Sequence, residues 1–236
     1  MSKIRLDRLI SDATTLSRSE ARCAIKSGRV MVCATAIKAP DAKADPELEI
    51  VTLDGRAITY KKFYYIMMNK PAGVLSATED EAQGTVLDLL PPMLRSRGIF
   101  PVGRLDKDTT GLLVLTDDGE FSHRITSPRH GIKKQYLAQV DIDITDEDVK
   151  AFSDGITLRD GTVCRSAVLK GDGAGRCIVE ISEGKYHQVR RMLAARGKKV
   201  LALHRRSVGA LSLSEKLLPG EFRELSAGEL EAIFEI

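Results

Sequence analysis

Residues 103 to 119, GRLDKDTTGLLVLTDDG, set a short apolar run, Leu112 to Leu115, between two turns crowded with charge. Consecutive apolar residues bounded by turn formers read as a buried strand. Four aspartates, Asp106, Asp108, Asp117 and Asp118, therefore stand close to the ends of one strand. Asp117, Asp118 and Gly119 have the composition of a turn that caps the next helix, Glu120 to Ile125. Asp108 precedes two threonines and a glycine and also reads as a turn former. Asp106 differs. Leu105 and the apolar run bury one side of its loop, while Arg104 and Lys107 flank it with positive charge. It is the candidate for a carboxylate that does chemistry.

Other strand-like runs beyond residue 60 are Tyr64 to Met68, Tyr136 to Val140, Val163 to Leu169, Cys177 to Ile181 and Val208 to Leu213. Their intervals are too irregular for the repeated helical crossovers of a parallel α/β fold. The expectation is an α+β domain over residues 59–236, built on a mixed, mainly antiparallel sheet, preceded by a small domain ending near residue 58. A chain of 236 residues, 43% of them hydrophobic, supplies a sizeable core for this. Gly-rich nucleotide loops, H-E-x-x-H and G-x-S-x-G are absent, which removes the usual support for nucleotide cofactors, zinc proteases and serine hydrolases. Cys23, Cys33, Cys164 and Cys177 form no C-x-x-C pair, so no metal site is expected. No stretch approaches the roughly 18 apolar residues of a membrane span, and the opening MSKIRLDRLI does not read as a signal sequence. A cytoplasmic protein is expected.

The net charge is only +3, but its distribution is uneven. Residues 1–40 hold eight Lys or Arg against three acids, and residues 185–206 hold eight against none. Two basic surfaces point to a polyanion, most plausibly nucleic acid. In LSRSEARCAIKSGRVMV, residues 16–32, Ser17 and Glu20 form a capping box, Gly28 stops the helix, and Val30 to Val32 is strand-like. Ala21, Ala24 and Ile25 form its inner face. Arg18, Arg22, Lys26 and Arg29 recur every three or four residues, which stacks them into a cationic ridge suited to a phosphate backbone. In EGKYHQVRRM, residues 183–192, a helix is expected from about Tyr186. Arg190 lies at the edge of its apolar face, within reach of a partly buried carboxylate, while Arg191 points away.

These residues carry two resemblances. Arg5-Leu6-Asp7, Ser17 to Ala21 and Gly28 to Val30 resemble the S4 RNA-binding module over most of residues 3–55. GRLDKDTTGLLVLTDDG, NKPAGVLSAT (69–78), KKQYLAQV (133–140) and EGKYHQVRRM are similar to motifs of the RsuA-type branch of the pseudouridine synthases, which also carries an S4 domain. HRITSPRH (123–130) and LHRRSVGAL (203–211) look most like the branch that modifies small-subunit rRNA.

The resemblance implies isomerisation of one uridine in 16S rRNA, of the uridine-516 type, without cofactor or metal. It makes Asp106 the essential carboxylate, Arg190 its basic partner and Tyr136 the aromatic residue that stacks on the uracil. It further implies RNA contacts at Arg104, which fills the space left by a flipped uridine, and at Arg5, Arg18, Arg22, Lys26, Arg29, Lys134 and Arg191. The histidines, His187 included, are left as structural or RNA-contacting groups. The expected partner is 16S rRNA or the assembling small subunit, with the enzyme acting as a monomer away from membranes. The alternatives are a synthase acting on 23S rRNA and a non-catalytic S4-type RNA-binding or ribosome-assembly protein.

Overall fold

The computed structural model describes residues 3–235. The chain divides into two compact units: Met1–Phe63 with Pro91–Gly98, and Tyr64–Leu90 with Ile99–Ile236. The first unit thus continues past the expected boundary near residue 58 and takes in a short later segment. Arg97 fastens that segment by donating to the carbonyls of Asp12, Lys61 and Lys62 at 3.0–3.3 Å.

In the first unit, helices Leu6–Ala13 and Arg18–Lys26 pack over a small antiparallel sheet centred on Val30–Val32 and Val51–Leu53. The expected capping box forms: the Ser17 side chain accepts from the Glu20 N–H, and Glu20 accepts from the Ser17 N–H at 2.7 Å. Leu6, Leu9, Ile10, Ala21, Ala24, Ile25, Val30 and Val51 make the core, so the inner face read from the sequence is the buried one. Asp7 is fully buried beside it. It accepts from Arg5 at 2.9 Å and Arg22 at 3.0 Å, with Arg18 at 3.7 Å, and their charge holds its carboxyl below the usual range despite burial.

The second unit carries one mixed, mainly antiparallel sheet. Seven of its nine strands are β1 (Tyr65–Lys70), β2 (Thr109–Thr116), β3 (Lys134–Val140), β4 (Val168–Gly171), β5 (Arg176–Ile181), β6 (Val200–Val208) and β7 (Phe222–Glu224), in the order β4-β5-β3-β6-β2-β1-β7, and the short strands Phe100–Pro101 and Leu211–Ser212 pair with β2 and β6. Neighbours are antiparallel except β6 and β2, which run parallel. Helices α1 (Gly119–Thr126), α2 (Asp146–Asp154) and α3 (Gln188–Ala195) connect them. Asp118 caps α1 by accepting from the N–H groups of Glu120 and Phe121. Asp117 accepts from the Tyr64 N–H at 2.7 Å. Asp118 therefore has the capping role that its sequence context suggests, whereas Asp117 ties the turn to the residue before β1 instead of capping the helix. Met67, Leu112, Val114, Phe121, Ile125 and Val208 meet in the core on one side of the sheet.

The parallel pairing of β2 with β6 requires Gly111. A Cβ there would collide with the Arg205 backbone, and its φ of +102° is one that side chains rarely adopt. Two expected strands differ from those observed. Val163 to Leu169 is strand only from Val168, because before it the N–H groups of Cys164 and Ala167 bond to the carbonyls of Ile156 and Phe152, leaving one isolated bridge, Thr157 to Val163. The strand expected at Val208 to Leu213 instead ends at Val208, and Gly209, with φ +57°, turns the chain back into the short pair Leu211–Ser212. The long strand lies before that turn, hidden within the basic run of residues 200–206.

Candidate active site

Asp106 projects from the loop that leads into β2, with its side chain about 30% exposed. Two anchors hold the loop. Lys70, fully buried at the end of β1, donates from Nζ to the carbonyls of Pro71, Lys107 and Thr109, each at 3.0 Å. Burial pushes its ammonium down to about 8, against the pull of Asp108 and Asp106. Ser76 both donates to the Leu105 carbonyl and accepts from the Leu105 N–H, at 3.0 and 3.1 Å. The Thr109 N–H closes the turn onto the Asp106 carbonyl at 3.0 Å. The backbone under the carboxylate is thereby fixed from three directions.

Opposite stands the start of α3. Arg190 Nε lies 3.6 Å from Asp106 Oδ2, and His187 Nε2 lies 3.4 Å from Oδ1. Tyr136, nearly buried in the middle of β3, forms the adjoining wall with Ile181, Val189 and Leu203. Together with Arg104 and Gly184 these residues line a cleft of about 80 Å³ that is partly open to solvent. A second hollow of about 100 Å³ shares Arg104, Tyr136 and Gly184 and continues toward Lys134 and Arg205. The arrangement offers one carboxylate with a guanidinium on one side and an imidazole on the other, beside an aromatic wall. It can orient a planar base against the tyrosine while the carboxylate reacts with it or with its sugar.

Of the residues singled out in the sequence, Asp106, Tyr136, Arg190 and Arg104 converge here. Lys134 lies deeper: its Nζ donates to the Ile132 carbonyl at 2.9 Å, and burial with Arg205 nearby lowers its ammonium to about 8. Arg191 is held by Asp160 at 2.5 Å and by the Tyr186 carbonyl. Arg5, Arg18, Arg22, Lys26 and Arg29 all lie in the first unit, where Arg29 forms a two-pronged pair with Asp54. Sequence reasoning missed the apposition of His187 to Asp106 and the anchoring by Lys70 and Ser76, although both anchors lie inside the stretch NKPAGVLSAT. Among the described residues, no group of three or more His, Cys, Asp or Glu could hold a metal, and no helix is long and apolar enough to cross a membrane.

A nine-stranded mixed sheet with a carboxylate–arginine cleft beside its centre belongs to a recognised class: residues 64–195 match the family described as RNA pseudouridylate synthase. The chain belongs to the RNA pseudouridine synthases, in their RsuA-like branch, and is an enzyme that converts uridine to pseudouridine in RNA. It is 42% identical to an uncharacterized RNA pseudouridine synthase, YtzG, of Bacillus subtilis, across 98% of this chain and 99% of that one. It is 41% identical to the ribosomal small subunit pseudouridine synthase A of Vibrio cholerae, across 98% and 100%. A crystal structure of a pseudouridylate synthase superposes with a TM-score of 0.69 at 35% identity, covering 98% of this chain and 99% of the other.

Proposed function

We propose that this enzyme isomerises one uridine of 16S rRNA, with Asp106 as the essential carboxylate. The observation that carries the assignment of Asp106 is its position: alone of the four aspartates near β2, it faces the cleft between Arg190 and His187 and beside Tyr136. The reaction breaks the bond from the ribose C1′ to N1, turns the base, and joins C1′ to C5. The proton on C5 is lost and N1 gains one, so nothing is oxidised or reduced. The chemistry draws on the carboxylate of Asp106, with the Arg190 guanidinium 3.6 Å away as its counter-charge. Attack on the base, attack on the sugar and removal of a ribose proton all need that carboxylate. Tyr136 stacks on the uracil and assists departure of the C5 proton. Arg104, exposed at the cleft edge, occupies the gap left in the RNA when the uridine swings out, offsetting the few kcal/mol of lost stacking.

The first unit acts as an S4-type RNA grip. Its helix pair and the exposed parts of Arg18, Arg22, Lys26 and Arg29 support this reading. The small subunit as target is supported by the 41% identity to the Vibrio cholerae enzyme, whose name states that substrate. Incubation of the purified protein with 16S and 23S transcripts, and with partly assembled small subunits, followed by nucleotide-resolution mapping, tests it. One modified uridine in 16S rRNA, free or assembled, is expected; modification confined to 23S rRNA would overturn the target.

A further inference from the structure

The turn between β5 and α3 carries an aromatic pair that the chemistry at Asp106 does not use. The Tyr186 and His187 rings stack with centroids 3.8 Å apart and planes 18° from parallel. His187 lines the cleft, yet Tyr186 is 75% exposed, in a chain with few aromatic residues. Such exposure would mean little on a loose loop. Here the turn is fastened from below. The nearly buried Gln188 accepts from the Lys185 N–H at 2.9 Å and donates to the equally buried Glu183 at 2.9 Å. The Gln188 N–H bonds back to the Lys185 carbonyl, and Arg191 donates to the Tyr186 carbonyl. His187 has φ +49° and ψ +35°, a left-handed conformation that a residue with a side chain adopts only at a cost. That strained step presents one ring to Asp106 and the next to solvent.

We propose that Tyr186, backed by His187, is a stacking shelf for a nucleobase adjoining the target uridine, so that the RNA is gripped beside the flipped nucleotide as well as at it. This deepens the reading of the cleft as a uridine site and rests on it. A shelf one residue from the cleft-lining His187 meets the strand where the target has left the stack, and there a neighbouring base has lost one stacking partner. An aromatic face restores that partner whatever the base, so the shelf strengthens binding without reading sequence. The Tyr186–His187 pair is well suited to the task because two stacked rings form a stiffer platform than one.

The test uses the full chain in the Asp106→Asn background, with two probes: a 16S rRNA transcript and a uridine-rich RNA hairpin carrying 2-aminopurine in its loop. Tyr186→Ala should weaken transcript binding on the order of tenfold, leave the salt dependence unchanged because every phosphate-binding cation is still in place, and abolish the quenching of 2-aminopurine. Tyr186→Phe should restore both affinity and quenching. Unchanged affinity in Tyr186→Ala, a flattened salt dependence, quenching that survives the loss of the ring, or no quenching with the parent protein would each overturn the shelf. Failure of the uridine-site reading is seen separately, as the absence of any pseudouridine formed by the wild-type enzyme.

Discussion

Lys70 brings an ammonium into the core and uses all three of its protons on backbone carbonyls, two of them in the loop that bears Asp106. Lys70→Met would take a donor from all three carbonyls, of which that of Lys107 keeps the Gly73 N–H at 2.9 Å; each carbonyl left unpaired costs about 1–3 kcal/mol, offset in part by the relief of a buried charge. A net destabilisation of about 2–4 kcal/mol is expected. Displacement of the carboxylate should lower kcat roughly 10- to 100-fold with little change in KM. Thermal unfolding and steady-state kinetics measure both, and an unaltered kcat would show that the loop holds itself. The sequence singled out Asp106 as a candidate because its neighbours, Arg104, Leu105 and Lys107, supply burial and charge locally. It could not disclose Lys70 or Ser76, because a side chain bonded to distant backbone carbonyls leaves no pattern of residue types. Nor could it place His187 on Asp106, since that depends on a left-handed turn at a residue without the usual glycine.

The missed strand is β6. A run containing His204, Arg205 and Arg206 reads as solvated charge, yet Arg205 is nearly buried, with its Nε donating to the Leu112 carbonyl at 2.7 Å, and His204 pairs with Thr110 at 2.9 Å. Polar groups satisfied inside a sheet defeat any count of apolar periodicity. Where side-chain chemistry was local, the elements were legible: the capped helix Arg18–Lys26, the Asp118 cap of α1, and β2 itself. At the far edge of the sheet, Arg223 of β7 grips Glu229 with two bonds of 2.9 and 2.6 Å, and Glu229 also accepts from the Ser226 N–H. Arg223, foremost among these partners, holds the Glu229 carboxyl down to about 2 from an ordinary 4.5. A depressed carboxyl stabilises the fold in full above its unfolded value, and this contribution fades as the pH falls from 4.5 toward 2. Glu229→Gln should therefore cost about 1 kcal/mol at neutral pH, by loss of the charge pair alone, since a glutamine can still accept from the Ser226 N–H. The difference from wild type should shrink on acidification through that window. Denaturant titrations at several pH values would detect it, and a pH-independent difference would contradict the pairing.

On the scale of the whole molecule, the proposed division of labour is between two units: the first holds RNA and the second changes a base. The cationic ridge is more restrained than its spacing suggested, since Arg18 and Arg22 serve the buried Asp7 and Arg29 serves Asp54. Reversing the charge of Arg18 and Arg22 would thus unsettle the fold of the first unit as well as its grip. Lys26→Ala combined with Arg29→Ala is the cleaner change. Removing one cation that neutralises a phosphate should reduce the slope of log affinity against log salt by roughly 0.7–0.9, and an unchanged slope would mean that the ridge does not touch RNA. The central claim is that Asp106 performs the isomerisation, and release of tritium from RNA labelled at C5 of uridine tests it most directly, because that hydrogen departs in every turnover. Wild type, Asp108→Asn and Asp117→Asn should release tritium at comparable rates, whereas Asp106→Asn should release none while remaining folded and able to bind RNA. Substantial release by Asp106→Asn would contradict the claim.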